Sequence, residues 1–221
     1  LMGKGAISDA HPLAVGMTGY WGTTFNNQMA LSADVMMAIG TRLSEADCSS
    51  WYRDETFNIP NTKLIHIDIN QEEIGRNFQT EIGAICDAKT ALETLLAKAK
   101  VLYPNGIKRP EKIQAIKKAK DEYFASLVEF QKSDQFPMRP ERILFDLREA
   151  LPADGYVVAD VGWNKNGVGQ QFPIYEAGTF VAPGGLCTMG YGPSAALGVK
   201  VARPDKKVVA LIGDGGMATN V

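Results

Sequence analysis

An aspartate flanked by glycines follows an apolar run near the end of the sequence, in VVALIGDGG (208–216). Glycines after a strand let the backbone approach a phosphate closely, and the start of a following helix offers free N–H donors. A carboxylate among such donors suits a phosphate when Mg²⁺ lies between the two, because carboxylate oxygens are ligands of this ion. This chemistry predicts Asp214 as a metal ligand, with Gly215 and Gly216 as backbone that faces a diphosphate. The alternative is a turn with a solvated aspartate.

A second acidic residue ends another apolar run, where Asp160, Val161 and Gly162 follow the residues YVVA (156–159). Ligands of parallel α/β sheets bind beyond the carboxyl ends of the strands. If the two runs are neighbouring strands, Asp160 and Asp214 lie at the same edge of one sheet. We therefore expect both segments to contribute to one site.

Apolar runs alternate with helical stretches along the chain, an order expected for parallel strands covered by helices on both faces. Predicted strands occupy residues 33–40, 63–70, 82–88, 155–162, 179–183 and 206–215, and a helix follows the third strand at 89–102. The predicted fold class is α/β, with parallel sheets covered by helices in two domains. They are placed at residues 1–103 and 139–221, with a charged helical linker at 104–138.

The linker carries a basic cluster that invites a nucleic-acid or phosphate interpretation. Acidic residues interleave with it, and the formal net charge of the chain is −2, which argues against nucleic acid as the main partner. A solvated helix is the interpretation we favour. The basic residues are Lys108, Arg109, Lys112, Lys117, Lys118 and Lys120, and the interleaved acids are Glu111, Asp121 and Glu122.

The cysteines and the apolar stretches indicate a cytoplasmic protein without a membrane span. Cys48, Cys86 and Cys187 are widely separated and form no CxxC motif, which fits a reducing compartment better than a zinc site or a disulfide framework. The N-terminus lacks the basic start and long apolar core of a signal peptide. Residues 177–199 carry no charge, but six glycines and two prolines favour a loop and a packed helix there.

A longer pattern surrounds the glycine-flanked aspartate: GGLCTMGYGPSAALGVKVARP (184–204) precedes the VVALIGDGG run. It resembles the diphosphate-binding domain of thiamine-diphosphate enzymes of the acetolactate synthase type. Upstream, the stretches HPLAVGMTGYWGT, ADVMMAIGTRL and KLIHIDINQEEIGRN resemble the central domain of that family, in the same order. The resemblance implies a central DHS-like, Rossmann-type domain at 1–103 and a truncated thiamine-diphosphate-binding domain at 139–221.

The resemblance implies thiamine diphosphate and Mg²⁺ as cofactors and gives several residues a role. Met189 is the implied catalytic residue, a bulky side chain beneath the cofactor that holds its two rings in a V shape. That shape brings the amino group of the cofactor close to its reactive carbon. Asp214 is the implied metal ligand. The implied cofactor-binding residues are Gly162, Trp163, Asn164, Cys187, Thr188, Met189, Gly213, Asp214, Gly215 and Gly216.

Two departures from the family pattern bear on these roles. In the family, a Gln-His pair that touches the diphosphate usually follows the strand that corresponds to YVVADV (156–161). This chain has GWNKNG (162–167) at that place. Lys165 in that stretch is either a phosphate contact or, as we favour, a surface lysine. Arg42 and Asp68 match positions that lie near the FAD nucleotide in acetolactate synthases. The acidic and basic run that follows the arginine in those enzymes is missing here, so FAD is possible but is not the cofactor we favour.

The implied activity is decarboxylation and carboligation of a small-molecule 2-oxo acid, by an acetolactate synthase-like transferase or lyase. Open alternatives are an oxo-acid decarboxylase, a glyoxylate carboligase-like enzyme, a cyclic-diketone hydrolase or a noncatalytic nucleotide-binding module. The family forms active sites between subunits, which implies a homodimer or homotetramer. The second metal ligand and the activating glutamate of the family are expected outside these 221 residues. Asn220 lies too close to Asp214 in the sequence to be that second metal ligand. We expect the chain alone to be inactive.

Overall fold

The structure is a computed structural model that describes residues 1–49, 51–52 and 54–220. This part of the chain contains six strands and eight α-helices. The strands are β1 (Val35–Ile39), β2 (Lys63–Asp68), β3 (Ile82–Ile85), β4 (Tyr156–Ala159), β5 (Phe180–Val181) and β6 (Val208–Leu211). The helices are α1 (Thr24–Leu31), α2 (Glu45–Cys48), α3 (Ala88–Leu102), α4 (Pro110–Gln131), α5 (Pro140–Ala150), α6 (Trp163–Gln171), α7 (Tyr191–Ala202) and α8 (Asp214–Ala218).

The strands form two parallel three-stranded sheets, one in the order β1-β2-β3 and the other in the order β5-β4-β6. Every predicted strand is present, and the α/β class with helix-covered parallel sheets is confirmed. In the second sheet β4 is central, with Val157 opposite both Phe180 of β5 and Val209 of β6. Parallel pairing places the carboxyl ends of β4 and β6 at the same edge.

Local signals account for where several helices begin. The Asp87 side chain accepts the Thr90 N–H at 3.0 Å and caps α3, and this hydrogen bond lowers the pKa of the Asp87 carboxyl. Thr23 caps α1 in the same way through the Asn26 N–H. Pro140 begins α5, a position where its missing N–H has no intrahelical partner to lose. These helices therefore start where the sequence chemistry favours a start.

The chain divides into two compact units, one formed by Thr18–Gln114 and the other by Leu1–Met17 together with the chain from Ala115 onward. The predicted division assigned the first seventeen residues to the other domain; the predicted boundaries at 103 and 138 stay predictions. The division into units falls within α4. Each unit contains one of the two sheets.

Hydrogen bonds of Asp9 explain why the N-terminal segment packs with the second sheet. The Asp9 N–H donates to the Ile174 carbonyl, and the Ile174 N–H donates to Oδ2 of Asp9, both at 2.8 Å. Lys4 adds an ion pair to the same carboxylate at 2.7 Å. Lys120 of α4 donates to the carbonyls of Asp9 and Ala14 at 2.8 and 3.0 Å. Lys120, a member of the predicted basic cluster, therefore has a structural role.

Each unit has its own apolar core. The core of the Thr18–Gln114 unit contains Ala38, Leu43, Cys48, Phe57, Ile59 and Leu64. The core below the second sheet contains Leu144, Leu151, Val157, Ala159, Val168, Phe172 and Ile174. Val157, Ala159 and Val168 are fully buried, so β4 and α6 form the rigid base on which the loops beyond β4 and β6 are built.

Candidate cofactor site

The loops after β4 and β6 meet at one edge of the second sheet, as the sequence predicts. Ala159 pairs with Leu211 in the last register of the two strands, and the Asp160 N–H donates to the Leu211 carbonyl at 3.0 Å. A Cβ atom at Gly213 would lie 3.6 Å from Nδ2 of Asn164, the second residue of α6. The residues that follow the two strands are therefore neighbours.

Asp214, the predicted metal ligand, is exposed at the beginning of α8. Its Oδ1 atom accepts the Gly215 N–H at 2.8 Å. Within residues 1–49, 51–52 and 54–220, no group of three or more histidine, cysteine or acidic side chains is placed to hold a metal ion. A hard ion such as Mg²⁺ accepts one protein carboxylate together with phosphate oxygens and water. This donor set fits a metal held between Asp214 and a diphosphate.

Met189 lies next to the Gly213–Gly216 turn. A Cβ atom at Gly215 would come within 3.2 Å of the Met189 methyl carbon. The Met189 side chain is 53% exposed and belongs to neither apolar core. An exposed methionine beside a glycine turn leaves room for a ligand on its open side. Its predicted place beneath a cofactor fits this position, and the role stays a prediction.

Cys187 and Thr188 precede Met189 on the same loop. Cys187 has a φ of +50°, a left-handed conformation that favours glycine and is uncommon for other residues. Its thiol lies 3.1 Å from Nζ of Lys165 and 3.7 Å from the carbonyl of Pro183. Thr188 is exposed. Lys165 is half-buried and lies beside the predicted cofactor-binding loop, and both interpretations of this lysine stay predictions.

Gly162, Trp163 and Asn164 mark the entry into α6. Gly162 has a φ of +99° with no atom within 4 Å of its missing Cβ, so this turn is open. The Trp163 ring packs along its own helix, where a Cβ atom at Gly167 would meet it at 2.6 Å. Asn164 reaches back to the Val161 carbonyl at 3.4 Å. Asn164 thus lies beside Gly213, and the Trp163 ring packs on α6, while the cofactor roles of Gly162, Trp163 and Asn164 stay predictions.

Asp160 is a residue of this region for which the sequence alone suggests no individual role. Its side chain is 1% exposed, and its carboxylate accepts hydrogen bonds from the backbone at the start of α7. The Gly190 N–H donates to both carboxylate oxygens at 3.1 and 3.2 Å, and the Gly192 N–H donates to Oδ2 at 3.2 Å. In the sequence, Asp160 is recognisable only as an acidic residue at the end of a strand. That position does not indicate that its side chain contacts the start of α7.

Asn220, two residues beyond the end of α8, contacts the same turn. Its side-chain amide donates to the carbonyls of Gly190 and Gly216 at 3.0 and 3.2 Å. A Cβ atom at Gly190 would lie 2.2 Å from Oγ1 of Thr219, and the φ of Gly190 is +82°, so this position requires glycine. Asn220 therefore joins the segment that follows α8 to the start of α7.

Arg42 and Asp68, the residues weighed for FAD, belong to the Thr18–Gln114 unit. Asp68 ends β2, is buried, and accepts the Asn70 N–H at 2.8 Å through Oδ1. This hydrogen bond closes the turn after the strand, which is a structural role. The question of FAD stays open.

No described helix combines the length and the apolar character needed to cross a membrane.

Two domain descriptions match the chain. Residues 1–95 match the thiamine pyrophosphate enzyme central domain, and residues 160–221 match the thiamine pyrophosphate enzyme C-terminal TPP binding domain. The chain belongs to the thiamine pyrophosphate enzyme family. The second match contains every residue predicted from the resemblance to contact the cofactor. Since this domain binds thiamine pyrophosphate, also called thiamine diphosphate, that cofactor is supported.

Curated relatives include acetolactate synthases. The probable acetolactate synthase large subunit of Methanocaldococcus jannaschii is 37% identical over 230 residues, a match that covers 100% of this chain and 36% of the relative. The acetolactate synthase isozyme 3 large subunit of Escherichia coli is 30% identical over 222 residues, covering 100% of this chain and 38% of the relative. The sulfoacetaldehyde acetyltransferase of Roseovarius nubinhibens is 30% identical, with coverages of 97% and 38%. The chain therefore spans less than two fifths of the length of these relatives.

Proposed function

We propose that this chain is part of a thiamine-diphosphate- and Mg²⁺-dependent enzyme that decarboxylates a 2-oxo acid and joins the product to a second carbonyl compound, as an acetolactate synthase does. One observation carries the proposal: Met189 lies beside Gly215, the residue that follows Asp214, at the joint carboxyl edge of β4 and β6. Relatives described as acetolactate synthase large subunits align with the whole chain, which supports the same proposal.

Each residue at this edge has a task that follows from its atoms. Asp214 offers an exposed carboxylate to Mg²⁺, and the backbone of Gly215 allows a diphosphate to approach without a side chain in the way. The Met189 side chain supplies an apolar surface beside that turn. The loop through Cys187 and Thr188 offers backbone polar groups to the pyrimidine ring. Thiamine diphosphate, when bound, supplies the carbon at which the 2-oxo acid loses CO₂.

Lys165 adds a positive charge beside the Cys187 thiol. Among the described residues, its Nζ atom donates to the Cys187 thiol and forms no ion pair with a carboxylate. An ammonium group with remaining N–H donors attracts an anion. We assign it to the diphosphate or to the carboxylate of the 2-oxo acid.

A second candidate function is another reaction of the same cofactor. The similarity to a sulfoacetaldehyde acetyltransferase favours it, because that relative matches 97% of this chain at 30% identity. The residues GWNKNG, which replace the expected Gln-His pair after β4, also leave the substrate open. The two candidates differ in substrate and share the cofactor site, so the same preparation distinguishes them.

The test uses the longest polypeptide that contains this chain, purified and freed of metal and cofactor. We expect pyruvate consumption, with acetolactate as product, only after both thiamine diphosphate and Mg²⁺ are added. Consumption of sulfoacetaldehyde but not pyruvate would favour the second candidate. No thiamine-dependent turnover with any of these substrates in a folded protein would refute the proposal. Light scattering of the same sample tests the proposed homodimer or homotetramer.

The isolated 221-residue chain serves as a further test. We expect it to show no turnover and at best weak binding of thiamine diphosphate in calorimetry. The reason is that Mg²⁺ prefers near-octahedral oxygen coordination, and the described residues offer it Asp214 as a carboxylate ligand. Tight binding by the isolated chain would mean that other residues build the site.

A further inference from the structure

The carboxylate of Asp160 is almost fully enclosed at the end of β4, with its side chain 1% exposed. Its partners are backbone N–H groups: Val161 at 2.6 Å, Gly190 at 3.1 and 3.2 Å, and Gly192 at 3.2 Å. No described lysine, arginine or histidine forms an ion pair with it. The buried charge is therefore compensated by the backbone at the start of α7.

The interaction has a clear electrostatic basis. The first N–H groups of a helix have no intrahelical partner, and a negative charge beside them is favourable. α7 runs over Tyr191–Ala202, and Gly190 is its N-cap residue. Because Asp160 uses the Gly190 and Gly192 N–H groups, the start of this helix is held by an anion of the chain itself. Those two donors are not free for a phosphate.

Two glycines leave the space that this carboxylate occupies. A Cβ atom at Gly216 would lie 2.8 Å from Oδ2 of Asp160, and one at Gly192 would lie 3.2 Å from the same oxygen. The carboxylate therefore lies directly between the first turns of α7 and α8. Asn220 holds Gly190 from the opposite side, through its 3.0 Å hydrogen bond to the Gly190 carbonyl. Gly190, the residue that follows Met189, is thus fixed through both its N–H and its carbonyl.

We propose that Asp160 is a positioning residue for Met189: by holding Gly190 at the start of α7, it keeps the methionine side chain against Gly215, where the cofactor would rest. This inference rests on the proposed function and deepens it. Asp160 is buried beneath the two helices and acts through the backbone. Charge-assisted hydrogen bonds of this kind fix backbone geometry more strongly than neutral ones. The position of Met189 should therefore depend on the Asp160 carboxylate.

The test is a double-mutant cycle of Asp160→Asn and Met189→Ala in the longest polypeptide that contains this chain. Asp160→Asn keeps the size of the side chain but points an amide donor at backbone donors. We expect kcat at saturating cofactor to fall about tenfold or more, since small displacements from reactive geometry cost up to about 100-fold. If Asp160 acts through Met189, the double variant should be no slower than Met189→Ala alone. Losses that multiply would overturn the proposal.

Asp154→Asn is the matched control, because Asp154 lies at the other end of β4 and pairs with Lys206. It removes an acid from the turn before the same strand by the same chemical change, and kcat should stay unchanged. Should Asp160→Asn leave too little folded protein at the assay temperature, Asp160→Ser replaces it in the cycle. Serine removes the buried charge and retains one acceptor oxygen.

A second readout does not depend on activity. With ¹³C-methyl methionine, the Met189 signal is assigned by its loss in Met189→Ala. We expect this signal to shift or broaden in Asp160→Asn, while that of Met138, a loop methionine of similar exposure, stays in place. An unchanged Met189 signal would overturn the positioning role. Absence of thiamine-dependent turnover in the unmodified protein would instead refute the proposed function, and the methyl signal would still decide the role of Asp160.

Discussion

The methyl carbon of Met189 lies so close to Gly215 that a Cβ atom there would approach it to 3.2 Å. The contact joins the loop before α7 to the turn that carries Asp214. It places an apolar side chain beside an exposed carboxylate, although the two residues are far apart in the sequence. A cofactor with an aromatic body and a charged diphosphate needs such a pairing of surfaces.

We predict that Met189→Ala reduces turnover far more than stability. The side chain is 53% exposed, and surface substitutions usually change the free energy of unfolding by no more than about 0.5 kcal/mol. Turnover at saturating cofactor should fall about 10–100-fold, because the surface that orients the cofactor is lost. Thermal unfolding and steady-state kinetics of the longest polypeptide measure both effects.

The control for this prediction is Met138→Ala. Met138 is 54% exposed, lies in the same unit, and precedes α5. It should leave both turnover and stability nearly unchanged. If Met189→Ala lowers the unfolding midpoint and the turnover in parallel, Met189 is a packing residue and its predicted role is wrong.

The sequence was sufficient to predict the parallel sheets and the edge at which the site lies. Near-continuous apolar runs such as the one that forms β4 indicate buried parallel strands, and the acids Asp160 and Asp214 mark where those strands end. The pattern GGLCTMGYG identifies the family, and the domain matches confirm it. Local chemistry and a family motif are therefore enough to predict which segments meet at this edge of the sheet.

What could not be predicted depends on contacts between distant segments. The hydrogen bonds between Asp160 and Gly190 join residues thirty positions apart, and no periodicity encodes such a pair. The packing of Leu1–Met17 with the second sheet likewise depends on Asp9 meeting Ile174. A lysine in a polar stretch is typical of the protein surface, and only the fold brings Lys165 to the thiol of Cys187.

We predict that Asp214→Asn raises the Mg²⁺ concentration needed for activity without destabilising the protein. Asp214 is exposed and accepts one hydrogen bond from the adjacent Gly215 N–H, so little of the fold depends on its charge. Loss of an outer-shell partner costs about 10–100-fold in metal affinity, and loss of a direct ligand should cost at least as much. Activity titrated with Mg²⁺ at saturating cofactor measures the shift.

Asp205→Asn is the matched control for the metal titration. Asp205 is an exposed acid in the turn between α7 and β6, with side-chain contacts to Arg203 and Lys206 at 3.7 Å. Its substitution changes the net charge equally, so it corrects for the general electrostatic attraction of Mg²⁺. Equal shifts in the two variants would argue against Asp214 as a ligand.

We predict opposite stability effects for Gly216→Ala and Gly198→Ala. A Cβ atom at Gly216 would lie 2.8 Å from the buried Asp160 carboxylate, so overpacking should cost about 1–3 kcal/mol. Gly198 lies within α7, and a Cβ atom added there would meet no atom within 4 Å. Alanine at this position should raise the free energy of unfolding by about 0.5–1 kcal/mol through its higher helix propensity. Denaturant unfolding of the two variants measures both changes. Stabilisation by both substitutions would mean that Asp160 and Gly216 are not packed together.

We predict that Cys48 makes stability fall with rising pH in the alkaline range. Burial, and secondarily the negative charge of Asp47, raise the pKa of the Cys48 thiol from 9.0 to about 12. The folded state therefore binds more protons than the unfolded state between these values, and stability decreases as pH rises. Below pH 9 the contribution of this thiol is complete, and it is lost as pH rises towards 12.

Two measurements check this effect. The unfolding midpoint of Cys48→Ala should fall less than that of the unmodified chain as pH is raised above 9, because alanine has no thiol to titrate. In the folded protein near that pH, iodoacetamide should modify Cys48 more slowly than the half-buried Cys86, and in urea the two should react alike. Rapid modification of Cys48 in the folded protein, together with parallel pH profiles of the two chains, would show that its thiol is neither buried nor linked to folding.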